Sequence, residues 1–364
     1  MPYFDERIYN FSAGPAMMPE RVLAEARADI WNFEGEGAGI MEISHRGGAF
    51  DEVIAQAEAD CRTLAGLDDS WSVLFMPGGA TLQFALIPMN FLPDGRHADF
   101  IDTGVWTRKA ITEAKAVGAV HLAWDGKTGG YDHIPSPAEL APSADPVYTH
   151  YCSNNTIYGT QWAAPPALDS PLVCDASSDI FSRPYDFDRH AIVFGGAQKN
   201  LGPAGSSLVL IRRDWLDRVA RTLPAMLKYS EHAAAGSRFN TPPTFAIYLM
   251  GRTFRWILDE GGLEAMGERN ARKAALIYDA LDAAGEFYRG VARRDCRSTM
   301  NVTFRTPSEE LDARFVAEAL EEGMAGLAGH RSAGGMRASI YNAFPEEGCA
   351  ELAAFMADFA RRTG

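Results

Sequence analysis

Leu172-Val173-Cys174-Asp175 and Ile192-Val193-Phe194-Gly195-Gly196-Ala197-Gln198-Lys199-Asn200 are the stretches whose reading decides the fold of this chain. Each opens with a short apolar run bounded by turn residues, the pattern of a strand buried on both faces of a parallel sheet. The first run ends at a carboxylate, Asp175. The second breaks at two glycines and leads to an amine, Lys199, twenty-four residues further on. Open α/β sheets keep their ligand sites just past the carboxyl ends of neighbouring strands. An acid and a lysine placed there meet the needs of pyridoxal phosphate chemistry. The amine attaches the coenzyme aldehyde and the carboxylate holds its pyridinium nitrogen. The plainer alternative is a solvent-reaching lysine and an aspartate that caps a helix.

Further strand-like runs flank these two: Val73-Leu74-Phe75, Ala98-Asp99-Phe100-Ile101, Val147-Tyr148-Thr149-His150 and Ser207-Leu208-Val209-Leu210-Ile211. With helical stretches between them, they predict an α/β fold with a largely parallel sheet and helices on both faces. Helices are expected over Pro19–Asn32 and over Asp51–Ala65, the latter ending at Gly66. Thr241 is placed to cap a helix whose first turn takes Pro242 and Pro243 and which runs to about Glu260. A further helix spans about Leu263 to Ala284. The remainder alternates strand (Met300–Phe304, Met336–Tyr341) and helix (Leu311–Glu322, Glu346–Arg362), a small α+β unit. The expected division is a large domain over 17–259 and a small C-terminal domain over 260–364, with the N-terminal segment 1–16 packing near the small one.

Other segments carry chemistry. Met76-Pro77-Gly78-Gly79-Ala80-Thr81-Leu82-Gln83 follows a strand and opens a helix, so its N–H groups and the Thr81 hydroxyl can cup an anion. It is not a Walker loop, because no Gly-Lys-Ser/Thr follows. Trp106, in Gly104-Val105-Trp106, lies past a strand end, where an indole can stack on a flat ring or simply pack. Arginine and histidine gather at His45-Arg46 and at His330-Arg331 with Arg337, and arginine grips carboxylate or phosphate in bidentate fashion.

The chain has 364 residues, enough for two domains, with 47% hydrophobic residues and a formal net charge of −14. That charge disfavours nucleic acid and an anionic membrane surface as partners. It also means that anion handling requires locally concentrated cations. Five cysteines at wide spacing, with no C-x-x-C, read as reduced thiols of a cytoplasmic protein. No secretory signal and no membrane span are expected. The sequons at Asn154 and Asn301 then count as chance matches.

Five segments in fixed order resemble one family: Asn10-Phe11-Ser12-Ala13-Gly14-Pro15-Ala16, Met41-Glu42-Ile43-Ser44-His45-Arg46-Gly47, Gly195 through Gly205, Phe239-Asn240-Thr241-Pro242-Pro243-Thr244-Phe245, and Gly329-His330-Arg331 through Asn342. The chain is similar to the phosphoserine aminotransferase family, pyridoxal phosphate enzymes of fold type I, class V. The resemblance implies that Lys199 carries the coenzyme as a Schiff base and Asp175 pairs with its ring nitrogen. Trp106 would stack on the ring and Thr156 would bond its 3-hydroxyl. Ala80, Thr81 and Gln198 would hold its phosphate, joined by Asn240 and Thr241 of a second subunit. Arg337 would grip the substrate α-carboxylate. His45 and Arg46 of the second subunit, with His330 and Arg331, would receive the distal anion. Some relatives carry arginine where this chain has Thr81, which removes a charge from the phosphate turn. The implied reaction is reversible amino transfer between glutamate and 3-phosphohydroxypyruvate, giving 3-phosphoserine and 2-oxoglutarate in serine biosynthesis, with 4-phosphohydroxythreonine of pyridoxine biosynthesis as a further substrate. A homodimer with shared sites is implied, and no metal. The competing readings are another class V aminotransferase acting on alanine, serine or glyoxylate, a cysteine desulfurase using Cys296 or Cys349, and a non-catalytic pyridoxal phosphate-binding protein.

Overall fold

The computed structural model describes residues 7–364. Residues 1–6 of the N-terminal segment expected to pack near the C-terminal unit lie outside the described residues. The strands are β1 (Tyr9–Asn10), β2 (Trp71–Pro77), β3 (His97–Asp102), β4 (Ala119–Asp125), β5 (Thr149–Cys152), β6 (Leu172–Asp175), β7 (His190–Gly196), β8 (Ser206–Arg212), β9 (Arg289–Gly290), β10 (Asn301–Arg305), β11 (Met324–Ala325) and β12 (Met336–Ser339). The helices are α1 (Glu20–Asp29), α2 (Gly48–Ala65), α3 (Ala80–Phe91), α4 (Val105–Lys115), α5 (Arg213–Leu216), α6 (Tyr229–Ala234), α7 (Thr244–Asp259), α8 (Gly262–Ala283), α9 (Glu309–Glu321) and α10 (Glu346–Thr363).

Seven strands form the main sheet in the order β2-β8-β7-β6-β5-β3-β4. All run parallel except β8, which is antiparallel to both β2 and β7. Side chains alternate faces along a strand. Leu172 and Cys174 therefore enter one core, with α2 and α7, while Val173 enters the other, with α3 and α4. Burial on both faces explains why the runs that locate β6 and β7 are continuously apolar. The edge strand β4, only partly buried, lacks such a run and was not expected.

The expected cap at Thr241 is not formed. The helix starts at Thr244 with Pro243 at the N-cap position. A residue before proline is pushed out of the helical region, and here both Thr241 and Pro242 precede one, so the helix opens only beyond the pair. The strand expected over Val147–His150 starts two residues later, at Thr149.

A third core unites α8, α9, α10, β10 and β12 with Phe11 and Met17. There β1 pairs in parallel with β11, and Phe11 packs on Phe344 with ring centroids 4.4 Å apart. The proposed division at residue 260 falls at Gly261-Gly262, two positive-φ glycines joining α7 to α8. Helix α8 serves both sides, since Leu263 and Met266 pack in the first core and Ala274, Ile277 and Leu281 in the third. The two sequon asparagines are buried and hydrogen-bonded to each other, Asn154 Nδ2 to Asn301 Oδ1 at 2.8 Å. Among the described residues, no helix is long and apolar enough to cross a membrane.

His150 on β5 is buried against Phe100, with rings 5.1 Å apart, and neither ring nitrogen has a partner. Burial pushes its pKa down from 6.5 to about 3, so the folded ring is neutral. The unfolded chain takes up a proton near 6.5. This contribution to stability is therefore fully present above that pH and is lost as pH falls toward 3. Between pH 6.5 and 5 the loss amounts to roughly 2 kcal/mol. His150→Phe is expected to keep the fold and to lessen the stability difference between pH 7 and pH 5 by about that amount. Urea denaturation at the two pH values measures it, and an unchanged difference would contradict this account.

Candidate active site

The carboxyl ends of β5, β6 and β7 come together because their register sets Cys152 opposite Asp175 and Asp175 opposite Phe194. Asp175 is buried, 3% exposed. Ser177, two residues on, donates to its Oδ1 through both the backbone N–H (3.0 Å) and the hydroxyl (2.5 Å). The Gly196 N–H donates in turn to Ser177 Oγ at 3.1 Å, tying the end of β7 to the carboxylate. Burial pushes the Asp175 carboxyl up, while the Ser177 bonds and the charge of Lys199 pull it back. A second buried carboxylate, Asp179, is likewise pushed up by burial. It is opposed by Arg183 at 3.5 Å and by bonds from Ser153 and Gln161.

Lys199 follows β7 and donates from Nζ to Thr156 Oγ1 at 2.8 Å. Its amine lies 5.6 Å from the Trp106 ring centroid. Thr156 also offers its carbonyl to Arg337 Nη1 at 3.4 Å. One residue thus connects the amine to the guanidinium. Arg337 is carried on β12, where it pairs with Thr303, and its Nε is buried without a partner.

Trp106 sits in the first turn of α4 rather than in a loop. The entry to that turn is over-determined. Gly104 has φ 152°, its N–H donates to Asp102 Oδ1 at 3.1 Å, and Asp102 is also paired with Arg108 at 2.5 Å. Asn155 Nδ2 donates to the Thr103 carbonyl.

A cavity of about 120 Å³ lies among these groups, lined by Gly79, Ala80, Thr81, Trp106, Asp175 and Lys199, together with Phe84, Cys152, Ser177, Ser178 and Gln198. A larger hollow of about 600 Å³ between α2 and α7 has no lysine among its lining residues. Along the wall of the small cavity α3 begins at Ala80 with no side-chain cap. Gln198 Oε1 and Trp106 Nε1 are buried there without partners. The cavity therefore brings together free helix-terminal donors, a buried carboxylate, an indole and an amine. A flat molecule with a phosphate and a basic ring nitrogen satisfies all four, so the residues present fit pyridoxal phosphate.

Of the residues named from sequence, Ala80, Thr81, Trp106, Thr156, Asp175, Gln198, Lys199 and Arg337 are thus brought together or bonded to that set. His330 stands nearby, where burial and the charges of Arg337, Arg331 and Lys109 hold its pKa below the ordinary value. His45, Arg46, Asn240 and Thr241 do not line the cavity of their own chain. Arg46 and Thr241 are exposed. Cys296 and Cys349, the candidate sulfur nucleophiles, are buried. Sequence reasoning did not single out Ser177, Ser178, Cys152 or Lys109. Only Ser177 had a readable signal, a hydroxyl two residues after the acid, where an Asx turn places it.

A Cβ at Gly104 would come within 2.2 Å of Asn155 Nδ2, at a φ that L-residues rarely adopt. Gly104→Ala is expected to destabilise the protein by about 2–3 kcal/mol and to weaken coenzyme retention by displacing Trp106. Denaturant unfolding and equilibrium dialysis measure the two effects; wild-type values in both would show that this turn does not place the indole.

A family model, aminotransferase class-V, matches residues 8–352. The phosphoserine aminotransferase of Herpetosiphon aurantiacus is 51% identical over 98% of this chain and 99% of its own length. A solved phosphoserine aminotransferase from Bacillus circulans subsp. alkalophilus superposes with a TM-score of 0.97 at 46% identity, covering 99% of this chain and all of that one. The pyridoxal phosphate-bound phosphoserine aminotransferase of Trichomonas vaginalis gives a TM-score of 0.91 at 36% identity, over 96% of this chain and 99% of that one. With a lysine, a buried aspartate and an uncapped helix start about one cavity in the fold of these enzymes, the chain belongs to the class V aminotransferase family.

Proposed function

We infer that this protein is a pyridoxal phosphate-dependent transaminase that moves an amino group reversibly between glutamate and 3-phosphohydroxypyruvate, giving 3-phosphoserine and 2-oxoglutarate. The observation that carries the reading is Thr156, whose hydroxyl takes the Lys199 amine and whose carbonyl takes Arg337. An α-amino acid needs an amine-exchanging group and a carboxylate-binding group at a fixed separation. Here a single residue touches both groups.

In this reading Asp175 pairs with the ring nitrogen of the coenzyme, Trp106 covers its face and Thr156 bonds its 3-hydroxyl. Ala80, Thr81 and Gln198 hold its phosphate. The coenzyme, when bound, supplies the electron-withdrawing ring that acidifies the α-proton of an attached amino acid. The protein supplies the rest. Asp175 keeps a proton on the ring nitrogen, and a shift of roughly 3 pKa units there corresponds to about 4 kcal/mol. The buried carboxylate gains in turn, because an opposite charge offsets the burial that raises its pKa. Lys199 Nζ takes the α-proton and returns it on the far side of a 1,3-shift, so one positioned base serves both transfers. Arg337 orients the α-carboxylate so that the α-proton faces that amine.

The same pocket accepts the γ-carboxylate of glutamate and the phosphate of phosphoserine, which carries about −1.5 to −2 charges. His330 and Arg331 supply one side. His45 and Arg46 supply the other from a second copy, which also brings Asn240 and Thr241 to the coenzyme phosphate. A homodimer follows. Trp31, 86% exposed, and Met41, 59% exposed, are unusually open for large apolar side chains and lie in the segment leading to His45-Arg46. 4-Phosphohydroxythreonine, which shares the distal phosphate, is a second expected substrate.

Purified holoenzyme should show a visible absorption band that shifts on adding glutamate alone, the mark of a half-reaction in a ping-pong cycle. A band indifferent to glutamate would leave coenzyme binding without transamination. Arg46→Ala should raise the KM for phosphoserine by roughly 10- to 100-fold, the value of a lost charge-assisted hydrogen bond, with coenzyme affinity nearly unchanged. Phosphoserine kinetics equal to wild type would remove Arg46 from the site. Sedimentation of a fully active monomer would exclude the shared-site arrangement.

A further inference from the structure

Lys273 occupies α8 where that helix passes from the first core to the third, between Met266 and Ala274. It is 0% exposed. Its Nζ donates to the carbonyls of Ile340 (3.0 Å), Tyr341 (2.7 Å) and Phe344 (3.2 Å) and reaches that of Asn342 at 3.5 Å. An ammonium has three donors, so one turn of backbone saturates it. A buried cation survives away from water only where dipoles replace its hydration. Burial still pulls its pKa down to about 7, with Cys349, Glu346 and Arg269 the charged or titratable groups that face it. Glu346 is itself paired with Arg272 at 3.4 Å.

The turn that Lys273 gathers joins the two halves of the site. It begins at Ile340, three residues after Arg337. Within it the Asn342 N–H donates to Asn200 Oδ1 at 3.0 Å, next in sequence to Lys199. Asn342 Nδ2 donates to the Phe181 carbonyl and Asn270 Nδ2 donates to Asn342 Oδ1, each at 2.8 Å. Tyr341 Oη donates to the Ala13 carbonyl at 2.9 Å. Strand β12, which leads into the turn, is held in register by β10. The turn thus lies between two anchored segments, β12 with Arg337 on one side and the Lys199-Asn200 segment on the other.

We propose that Lys273 is a positioning residue for the transamination site: by drawing the carbonyls of 340–344 onto α8 it sets the distance between the Arg337 guanidinium and the Lys199 amine, and with it the affinity for the substrate α-carboxylate. The inference rests on reading Arg337 as the carboxylate-binding group. A brace that served only the fold would lower thermal stability and the active fraction, leaving KM as it was.

The test compares Lys273→Met and Arg337→Ala as holoenzymes with wild type, with glutamate and phosphoserine as separate amino donors. Lys273→Met is expected to keep the coenzyme absorbance and its kcat within about twofold, while KM rises roughly 10-fold for both donors, since small misplacements of a binding group carry costs of that order. Unchanged KM values in Lys273→Met beside raised values in Arg337→Ala would overturn the positioning role and leave the reading of Arg337 intact. Unchanged KM values in Arg337→Ala would overturn that reading and the inference with it. Should Lys273→Met fail to accumulate as holoenzyme, Asn342→Ser, which removes the side-chain bonds tying the same turn to Phe181 and Asn270, decides: a selective rise in KM supports the proposal and wild-type KM values reject it.

Discussion

A carboxylate buried at the end of β6 is the constraint on which the site depends. Removing an ionised group from water is costly unless hydrogen bonds and opposite charge compensate. At Asp175 the compensation comes from Ser177, from Lys199 and, at one remove, from the Gly196 N–H that fixes the Ser177 hydroxyl. Those partners belong to β6, β7 and the turn beyond, so the carboxylate holds its charge only while the ends of these strands stay in register. The coenzyme ring nitrogen proposed as its partner would complete the set. Asp179 is buried nearby, and there Arg183, Ser153, Gln161 and Lys199 oppose the cost of burial.

An acidic protein binds anions by concentrating its cations. Lys109, Lys199, His330, Arg331 and Arg337 converge on one mouth although the chain carries a net charge of −14. Several polar atoms at and near this site have no partner. Trp106 Nε1, Gln198 Oε1, Arg337 Nε and His45 Nε2 are all buried without partners. Buried polar groups are rarely left so in a finished structure. Trp106 and Gln198 line the cavity, where a bound molecule would satisfy them.

Much of the fold was legible because its signals are local. Strands buried on both faces must be apolar throughout, so β6, β7 and β8 announce themselves. Gly66 terminates α2 in a left-handed conformation that glycine adopts without strain. Errors arose where local chemistry was read without its neighbours. Thr241 is a good capping residue, but the two prolines after it delay the helix. The edge strand β4 is recruited by pairing with β3, an interaction between residues about twenty positions apart in sequence, and so leaves little local trace.

By itself the sequence determined the alternation of strand and helix, the acid and amine at neighbouring strand ends, and the motif order that identifies the family. These depend on side-chain type and short spacing. Only the tertiary structure decided the reversal of β8, the convergence of Thr156 on both Lys199 and Arg337, and the capture of the 340–344 turn by Lys273. Each joins groups separated by tens to hundreds of residues. The energy that fixes them, burial of polar groups against specific dipoles, exists only once the chain has closed around them.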